Sequence, residues 1–589
     1  MGIHRFFPWF KDTMNGSLIR MAPGMTFADL IDQDSIVPID NFFIDLNGVF
    51  HQAAQKVYKY GNNKQPKRLL GRAPQIEKGN LKIKVFEEVC NTIEQLFHTV
   101  NPKKRLILCV DGPAPQSKQK QQRQRRFKSA MENSKSDRTT NTFDSNSITP
   151  GTVFMDHLTK YIDWYIRKKV SNDDRWQQLE EVVFSNEKVP GEGEHKVLNF
   201  IRSHNKPDES YCIHGLDSDL IMLALGTKLK HIYLLREDQF DHRNDFFCID
   251  IGDVQTRLYD MMYWGEEGKK FNKNYVVNDF IFLCFLIGND FLPQSPSIEV
   301  WNRGLDMIIK VYKEVCSQYG HITRILSGNV LFVKQPLKIF LGTIAQYEQV
   351  MLEEKIDSRV RYFPDKLLEQ CTVIDHNSEN KRMTKVDIEL YRKLYYKSKF
   401  PSTSDEMTLS DICHEYLEGM QWVLSYYTKG VPNWKWFYPF HYAPFSHDLS
   451  KYVKTFRFPN YEKTVPNLPY QQLLCVLPPR SSRLIPSPLG SLLASVDSPI
   501  KQFYPDTFRV DVAGKRKEYE GVVILPIVDS DMIERVYNEY ITRINIVDQK
   551  RNKHGKSFKY RYDPSNEELF ESYYGNIPSC NVYISTIEL

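Results

Sequence analysis

A carboxylate that ends an apolar run stands directly before a strongly basic segment in the first third of the chain. Asp111 ends the run 105–111, and a Gly-Pro turn separates it from the basic residues. Four of these have the spacing i, i+4, i+7 and i+8 that puts them on one face of a helix: Lys118, Gln122, Arg125 and Arg126. Such a fork of donors suits a phosphate group, and the neighbouring carboxylate suits a metal ion. The alternative is a solvated helix face beside an ordinary Asp-Gly turn.

Further carboxylates follow apolar runs or begin helical segments, where the end of a strand would direct them into a crevice. They are Asp45, Glu192, Glu194, Asp217, Asp219 and Asp290. Each alone has a structural explanation as a helix cap, a partner of a helix dipole or a turn residue. Together with Asp111 in one crevice they would repel one another unless cations lay among them. Oxygen ligands without a His/Cys set favour two Mg²⁺ ions, with Mn²⁺ as a substitute, over zinc.

Alternating patterns in the first third predict the elements that would position these acids. Strand-like runs cover 41–45, 105–111, 181–184, 211–214 and 230–235, and amphipathic helical segments cover 84–99 and 154–169. Such alternation predicts an α/β fold with a mostly parallel central sheet flanked by helices, a Rossmann-like or PIN-like core. Ligands bind at the carboxyl ends of the strands in such sheets.

Composition shifts divide the chain into three regions. Residues 1–351 form the predicted α/β domain, 352–410 a charged helical connector without a sheet pattern, and 411–589 an aromatic-rich region that would pack on the first and complete the pocket. The polar segment 129–147 is predicted to be a loop. The basic segment 549–561 is predicted to be a solvated loop, with RNA binding as the alternative.

Composition also limits the class of protein. With 589 residues, 41% hydrophobic and 26% charged, the chain can bury more than one core and is not disordered as a whole. The net charge of +5 is small, so any nucleic acid must bind local basic patches. The apolar run Phe280–Ile287 is too short to cross a bilayer, and the ten cysteines are scattered. A soluble intracellular protein is expected, without a membrane partner.

Taken together, these motifs resemble the Xrn-type 5′→3′ exoribonucleases, within the wider group of flap-endonuclease-like metal nucleases. The resemblance extends from Met1 to about residue 530 and rests on segments in the same order. These are Asp45–His51, 111–127, Phe143–Thr152, Pro190–Lys196, Gly215–Ile221, Leu235–Glu237, Gly288–Pro293, 420–448, Leu477–Pro479, Asp497–Pro505 and Gly521–Pro526. Because larger family members carry further modules after this core, the resemblance implies a compact core enzyme.

The resemblance implies a role for each site residue. The seven acids would hold the metal ions and be catalytic, and the four residues of the basic face would bind the 5′-monophosphate of single-stranded RNA. His51 and one of Trp434 and Trp436, with Trp436 preferred, would stack around the first base. A cap or triphosphate would not fit, and the enzyme would release nucleoside 5′-monophosphates processively in mRNA decay.

The alternatives are a structure-specific DNA flap nuclease, against which the 420–530 segments argue, and a catalytically silent RNA-binding scaffold. A monomer in the cytoplasm is expected, with the nucleus as the second location. Decapping or RNA-processing proteins that would act with the chain are not identified by the sequence.

Overall fold

A computed structural model describes residues 6–61, 78–135, 143–204, 206–238, 246–266, 268–299, 303–357, 362–376, 382–400 and 408–588. Its strands are β1 (Leu18–Met21), β2 (Asn41–Asp45), β3 (Arg105–Cys109), β4 (Glu181–Ser185), β5 (Tyr211–His214), β6 (Ile232–Glu237), β7 (Phe246–Asp250), β8 (Thr323–Leu326), β9 (Asn329–Phe332), β10 (Thr372–His376), β11 (Arg382–Val386), β12 (Arg509–Asp511), β13 (Val522–Ile524), β14 (Ser557–Tyr562), β15 (Glu568–Phe570), β16 (Ile577–Cys580) and β17 (Val582–Ile587).

The helices of the first α/β part are α1 (Phe6–Thr13), α2 (Phe27–Asp32), α3 (Leu46–Tyr58), α4 (Lys78–Val100), α5 (Gln116–Lys135), α6 (Val153–Asn172), α7 (Asp174–Gln177), α8 (Gly193–Ser203), α9 (Asp219–Thr227), α10 (Ile251–Met262) and α11 (Lys273–Cys284). Later helices are α12 (Gly304–Tyr319), α13 (Lys334–Asp357), α14 (Lys366–Gln370), α15 (Ile388–Lys399), α16 (Leu409–Thr428), α17 (Ser446–Tyr452), α18 (Pro469–Val476), α19 (Ser491–Ala494), α20 (Ser530–Ile541) and α21 (Ile546–Gln549).

A nine-stranded sheet in the order β1-β7-β6-β5-β2-β3-β4-β14-β17 forms the centre of the molecule. Its middle strands, from β6 to β4, are parallel, and antiparallel strands lie at both edges. The chain passes from β2 to β3 and β4 on one side and returns to β5 on the other side of β2. This is the reversal of strand order at which α/β sheets form a crevice. The predicted fold class is therefore confirmed.

Alternate side chains of the parallel strands face two separate cores. Phe43 of β2 and Ile107 of β3 belong to the cluster under α8, α9 and α11, whereas Phe42 and Leu106 belong to the cluster under α3, α4 and α6. All four side chains are fully buried. Burial on both faces explains why these strands appear in the sequence as continuous apolar runs.

Three local predictions are wrong. Residues 129–135 of the predicted loop 129–147 continue helix α5, while 136–142 lie outside the described residues. The predicted connector 352–410 contains the hairpin of β10 and β11. The basic segment 549–561 is not a solvated loop, because β14 pairs with β4 and Arg551 is buried. For 549–561, long-range strand pairing orders a segment whose composition is strongly charged.

In the described part of the chain, every helix is too short or too polar to pass through a lipid bilayer.

Candidate active site

Parallel strands bring the predicted acids to one edge of the sheet. Asp45 ends β2 and Asp111 lies two residues after β3, while Glu192 and Glu194 begin α8 after β4. Asp217 and Asp219 lie between β5 and the first turn of α9. Because β5, β2, β3 and β4 are parallel neighbours, their carboxyl ends meet at this edge. Asp290 reaches the same place from the loop after α11.

A small network of backbone and amide groups orients Asp111. Its carboxylate accepts hydrogen bonds from the Asn47 side chain at 2.7 Å and from the backbone N–H of Gly193 at 2.7 Å. The Asp111 N–H donates in turn to Asn47 Oδ1 at 3.0 Å. A Cβ atom at residue 193 would lie 2.5 Å from Asp45 Oδ1. A side chain at residue 193 would therefore displace the carboxylate of Asp45 where α8 approaches the two acids.

Mutual repulsion among the acids is strong where Glu194, Asp217 and Asp219 meet. One carboxylate oxygen of each lies within 4.8 Å of those of the other two. Burial raises the pKa of Asp219, and the charges of Asp217 and Asp290 raise it further, to about 7. Burial, followed by the charge of Asp219, holds the pKa of Glu194 well above its usual range. Burial and the neighbouring negative charges therefore both disfavour ionisation of Glu194 and Asp219.

Asp45, at the end of β2, shows the same effect. Burial raises the pKa of Asp45 well above its usual range, and the charges of Asp111, Asp217 and Glu192 add to it. The charge of Asp290 raises the pKa of Asp219, so Asp290 also lies close to this group of acids. All seven predicted acids are thus brought together in one group.

Lys118 is a cation that enters this acidic group. Its Nζ lies 2.5 Å from Glu192 Oε2 and 2.7 Å from Asp290 Oδ2. Although burial lowers the pKa of Lys118, the charges of Asp290 and Glu192 raise it well above its usual range. Lys118 therefore stays charged and links the basic helix to the acids.

The other predicted phosphate-binding residues continue from Lys118 along α5. Gln122 and Arg126 are 5% and 8% exposed, and neither Gln122 Oε1 nor Arg126 Nη1 has a hydrogen-bond partner among the described residues. Burial, and then the neighbouring Arg125 charge, lower the pKa of Arg126 to about 9. A buried guanidinium with an unused donor is costly, and an anion would satisfy it. This burial excludes the solvated helix face for Gln122 and Arg126.

Arg125 is exposed and lines a cavity of about 590 Å³, whose wall also includes Asp290, Gln121 and Gln124.

The opposite face of α5 is anchored in the protein. Arg123 donates to the carbonyl oxygen of Cys475 at 3.0 Å and to that of Phe503. The charges of this helix therefore divide into an anchored face and a face available to a ligand.

His51 lies in α3, close to the basic face. Burial, and then the charges of Arg125 and Arg126, lower its pKa to about 4, so the imidazole is neutral at pH 7. The two predicted tryptophans differ in exposure. Trp436 is 9% exposed and stacks on Trp422 with ring centroids 4.9 Å apart, whereas Trp434 is partly exposed and its carbonyl accepts from Gln116 N–H at 2.9 Å.

Sequence reasoning missed a stack of rings that reaches the acids. Trp422 stacks on Tyr426 at 5.0 Å, and Tyr426 stacks on His195 at 3.6 Å. The Tyr426 hydroxyl donates to Glu192 Oε1 at 2.6 Å. The sequence signal was the density of aromatic residues in 420–427, but no pattern in it indicates which ring reaches a carboxylate more than 200 residues earlier.

Divalent cations fit this donor set. Buried Glu194 Oε2 and Asp219 Oδ1 have no hydrogen-bond partner among the described residues, and their neighbours are other carboxylates. Oxygen donors of this kind suit Mg²⁺ or Mn²⁺. Cations here would also remove the repulsion that raises the pKa values of these acids.

The protein has an open, mostly parallel α/β sheet, a class in which ligands bind in the crevice at the carboxyl ends of the strands, and its acids and basic helix lie at that edge. Family comparison is more specific. Residues 1–238 match the family described as "XRN 5′-3′ exonuclease N-terminus", and 270–390 and 368–566 match the "Xrn1 helical domain". The chain belongs to this XRN 5′-3′ exonuclease family, which confirms the resemblance stated from the sequence.

Curated relatives are similar over nearly all of the chain. 5′-3′ exoribonuclease 1 of Saccharomyces cerevisiae is 28% identical, over 98% of this chain and 46% of its own length. 5′-3′ exoribonuclease 1 of Homo sapiens is 29% identical, over 97% of this chain and 36% of its own length. The chain therefore spans less than half the length of these two relatives. A solved structure of the catalytic core of Rad2 with a DNA substrate matches 72% of this chain and 100% of its own at 13% identity, with a TM-score of 0.29.

Proposed function

We propose that this protein is a Mg²⁺-dependent 5′→3′ exoribonuclease that acts processively on single-stranded RNA with a 5′-monophosphate and releases nucleoside 5′-monophosphates. The observation that carries the proposal is that α5 presents buried polar atoms without hydrogen-bond partners among the described residues, next to the seven acids. Arg126 and Gln122 keep unused polar atoms, and Lys118 contacts Glu192 and Asp290. A phosphate on the basic face and a phosphodiester at the acids would then belong to one substrate.

The 5′-phosphate would be bound by Lys118, Gln122, Arg125 and Arg126. Arg126 has a pKa of about 9 and is charged at pH 7, so it can form charge-assisted hydrogen bonds to phosphate oxygens. Because Arg126 is 8% exposed and its Nη1 is buried, a bulkier 5′ group would have to displace protein atoms to reach it. We therefore expect a cap or triphosphate to be excluded.

The seven acids would hold two Mg²⁺ ions, for which Mn²⁺ can substitute. When bound, such ions supply an activated water and stabilise the leaving 3′-oxygen of the cleaved phosphodiester. The protein's own groups then have positioning roles. Asn47 and the Gly193 N–H hold Asp111, and Lys118 holds Glu192 and Asp290.

Bases would be recognised by stacking, which tolerates any sequence. His51, neutral because its pKa is about 4, offers an uncharged ring beside the phosphate-binding face. Trp436 or Trp434 would be the second ring, and the burial of Trp436 leaves Trp434 the more accessible. Each cleavage creates a new 5′-phosphate on the shortened strand, so the same pocket can bind the next end.

The division at residues 351 and 410, a monomeric state and action in cytoplasmic RNA decay stay predictions. Strands β14 and β17 of the last region complete the central sheet, so we infer that 411–589 folds together with 1–351.

The test uses 3′-labelled RNA with either a 5′-monophosphate or a 5′-triphosphate, in magnesium, and measures mononucleotide release. Rapid loss of only the monophosphate RNA is expected. Equal loss of both would refute the phosphate-binding role. Cleavage of branched DNA in preference to RNA would favour a flap nuclease, and binding without cleavage would favour an RNA-binding scaffold. Asp217→Ala and Asp219→Ala serve as controls that should lose cleavage and keep RNA binding.

A further inference from the structure

The Tyr426 side chain connects α16 to the acidic group by a hydrogen bond and by stacking. Its hydroxyl donates to Glu192 Oε1 at 2.6 Å, and its ring stacks on His195, the residue that follows Glu194. Tyr426 is fully buried. The contact joins residues 234 positions apart, so it forms only when α16 packs against α9, which in turn packs against α8.

The two oxygens of Glu192 have different partners. Oε1 accepts from Tyr426, and Oε2 contacts Lys118 Nζ at 2.5 Å. Glu192 precedes α8 and makes no side-chain cap to that helix, so its own element does not fix its orientation. The hydroxyl of Tyr426 is therefore the group that holds Oε1 and leaves Oε2 directed toward Lys118 and the neighbouring acids.

We propose that Tyr426 is a positioning residue for cation binding, which acts by fixing the carboxylate of Glu192. The inference rests on the proposed function, since it requires that Glu192 bind a divalent cation. Partners that orient a ligating carboxylate are worth about 10- to 100-fold in metal affinity. The aromatic region 420–427 would thus contribute to the site through this hydroxyl as well as through packing.

Tyr426→Phe tests the proposal, because it removes the hydroxyl and keeps the stacked ring. The neighbouring residue offers a matched control: Tyr427 is also fully buried, but its hydroxyl has no hydrogen-bond partner among the described residues. Mn²⁺ binding to the full chain is measured by loss of the electron paramagnetic resonance signal of the free ion. We expect about a 10- to 100-fold weaker affinity for Tyr426→Phe and an unchanged affinity for Tyr427→Phe.

A second measurement separates positioning from general damage. Adding Tyr426→Phe to Glu192→Gln should lower Mn²⁺ affinity little further, because the carboxylate on which the hydroxyl acts is already gone. Full additivity, or equal losses for the two tyrosines, would overturn the proposal. Wild-type affinity in Tyr426→Phe would also overturn it, while leaving the proposed nuclease intact. Failure of the wild-type protein to bind Mn²⁺ would instead refute the metal assignment of the proposed function.

Discussion

Replacement of Arg126 by methionine should have opposite effects on stability and on activity. Arg126 Nη1 has no hydrogen-bond partner among the described residues, and the side chain is 8% exposed. Burial, and then the Arg125 charge, lower its pKa well below its usual range, to about 9. A tenfold change in the acid dissociation constant corresponds to about 1.4 kcal/mol in the free-energy difference between the charged and neutral forms. The folded protein without substrate therefore holds this charge at a cost of several kcal/mol.

Methionine keeps most of the buried volume and removes the charge. In phosphate-free buffer we expect Arg126→Met to unfold thermally at the same temperature as the wild-type protein or a few degrees higher. Arg123→Met, on the anchored face of the same helix, is the matched control. It leaves the carbonyl oxygens of Cys475 and Phe503 without their donor, at a cost of about 2–5 kcal/mol. Its unfolding temperature should fall.

Activity should change in the other direction. A hydrogen bond from a charged donor contributes about 1.5–3 kcal/mol, so loss of one to the 5′-phosphate lowers kcat/KM by about 10- to 150-fold. RNA with a 5′-hydroxyl has no such bond to lose, and its slow cleavage should change little. The assay is mononucleotide release from both RNAs by wild-type protein and Arg126→Met.

The phosphate-binding role of Arg126 would be refuted if Arg126→Met lost as much thermal stability as Arg123→Met and cleaved both RNAs equally poorly. Arg126 would then be a structural residue. A second check is the addition of inorganic phosphate, which should raise the unfolding temperature of the wild-type protein more than that of Arg126→Met.

The remaining predictions concern the acids, a glycine and the tryptophans. Because the pKa of Asp219 is raised to about 7, its contribution to stability is present near pH 4 and is lost as pH rises through 7. In EDTA, Asp219→Asn should therefore stabilise the protein more at pH 8 than at pH 4. Thermal unfolding at the two pH values measures this difference. Gly193→Ala would place a Cβ 2.5 Å from a carboxylate oxygen and should weaken Mn²⁺ binding, whereas Gly342→Ala, with nothing within 4 Å, should not. Trp436→Ala should cost about 3–5 kcal/mol of stability, and Trp434→Ala should instead weaken RNA binding.

Each of these expectations has a contrary outcome. A stability gain in Asp219→Asn that did not depend on pH would contradict the assigned pKa. Equal Mn²⁺ affinity in the two glycine variants would show that the helix start can move. Stable Trp436→Ala protein with weakened RNA binding would reverse the roles of the two rings.

Local patterns in the sequence predicted the parallel strands of the central sheet and placed several acids near their carboxyl ends. Strand β2, which ends at Asp45, and strand β3, which ends two residues before Asp111, have apolar side chains on both faces, which predicts buried parallel strands whose carboxyl ends meet. Helical spacing likewise grouped Lys118, Gln122 and Arg126 on one face of α5. These inferences succeed because they depend on residues within one element or on neighbouring strands of one sheet.

Tertiary structure decided which polar groups are paired. The contacts of Lys118 with Asp290 and of Tyr426 with Glu192 join residues 172 and 234 positions apart. The place of the basic strand β14 beside β4 also depends on distant packing. Helical or strand periodicity cannot specify such pairs, because burial and charge at each position are set by elements that meet only in the folded chain. For the same reason, the sequence identifies Arg126 as basic, and only the fold buries its guanidinium with a donor left unused.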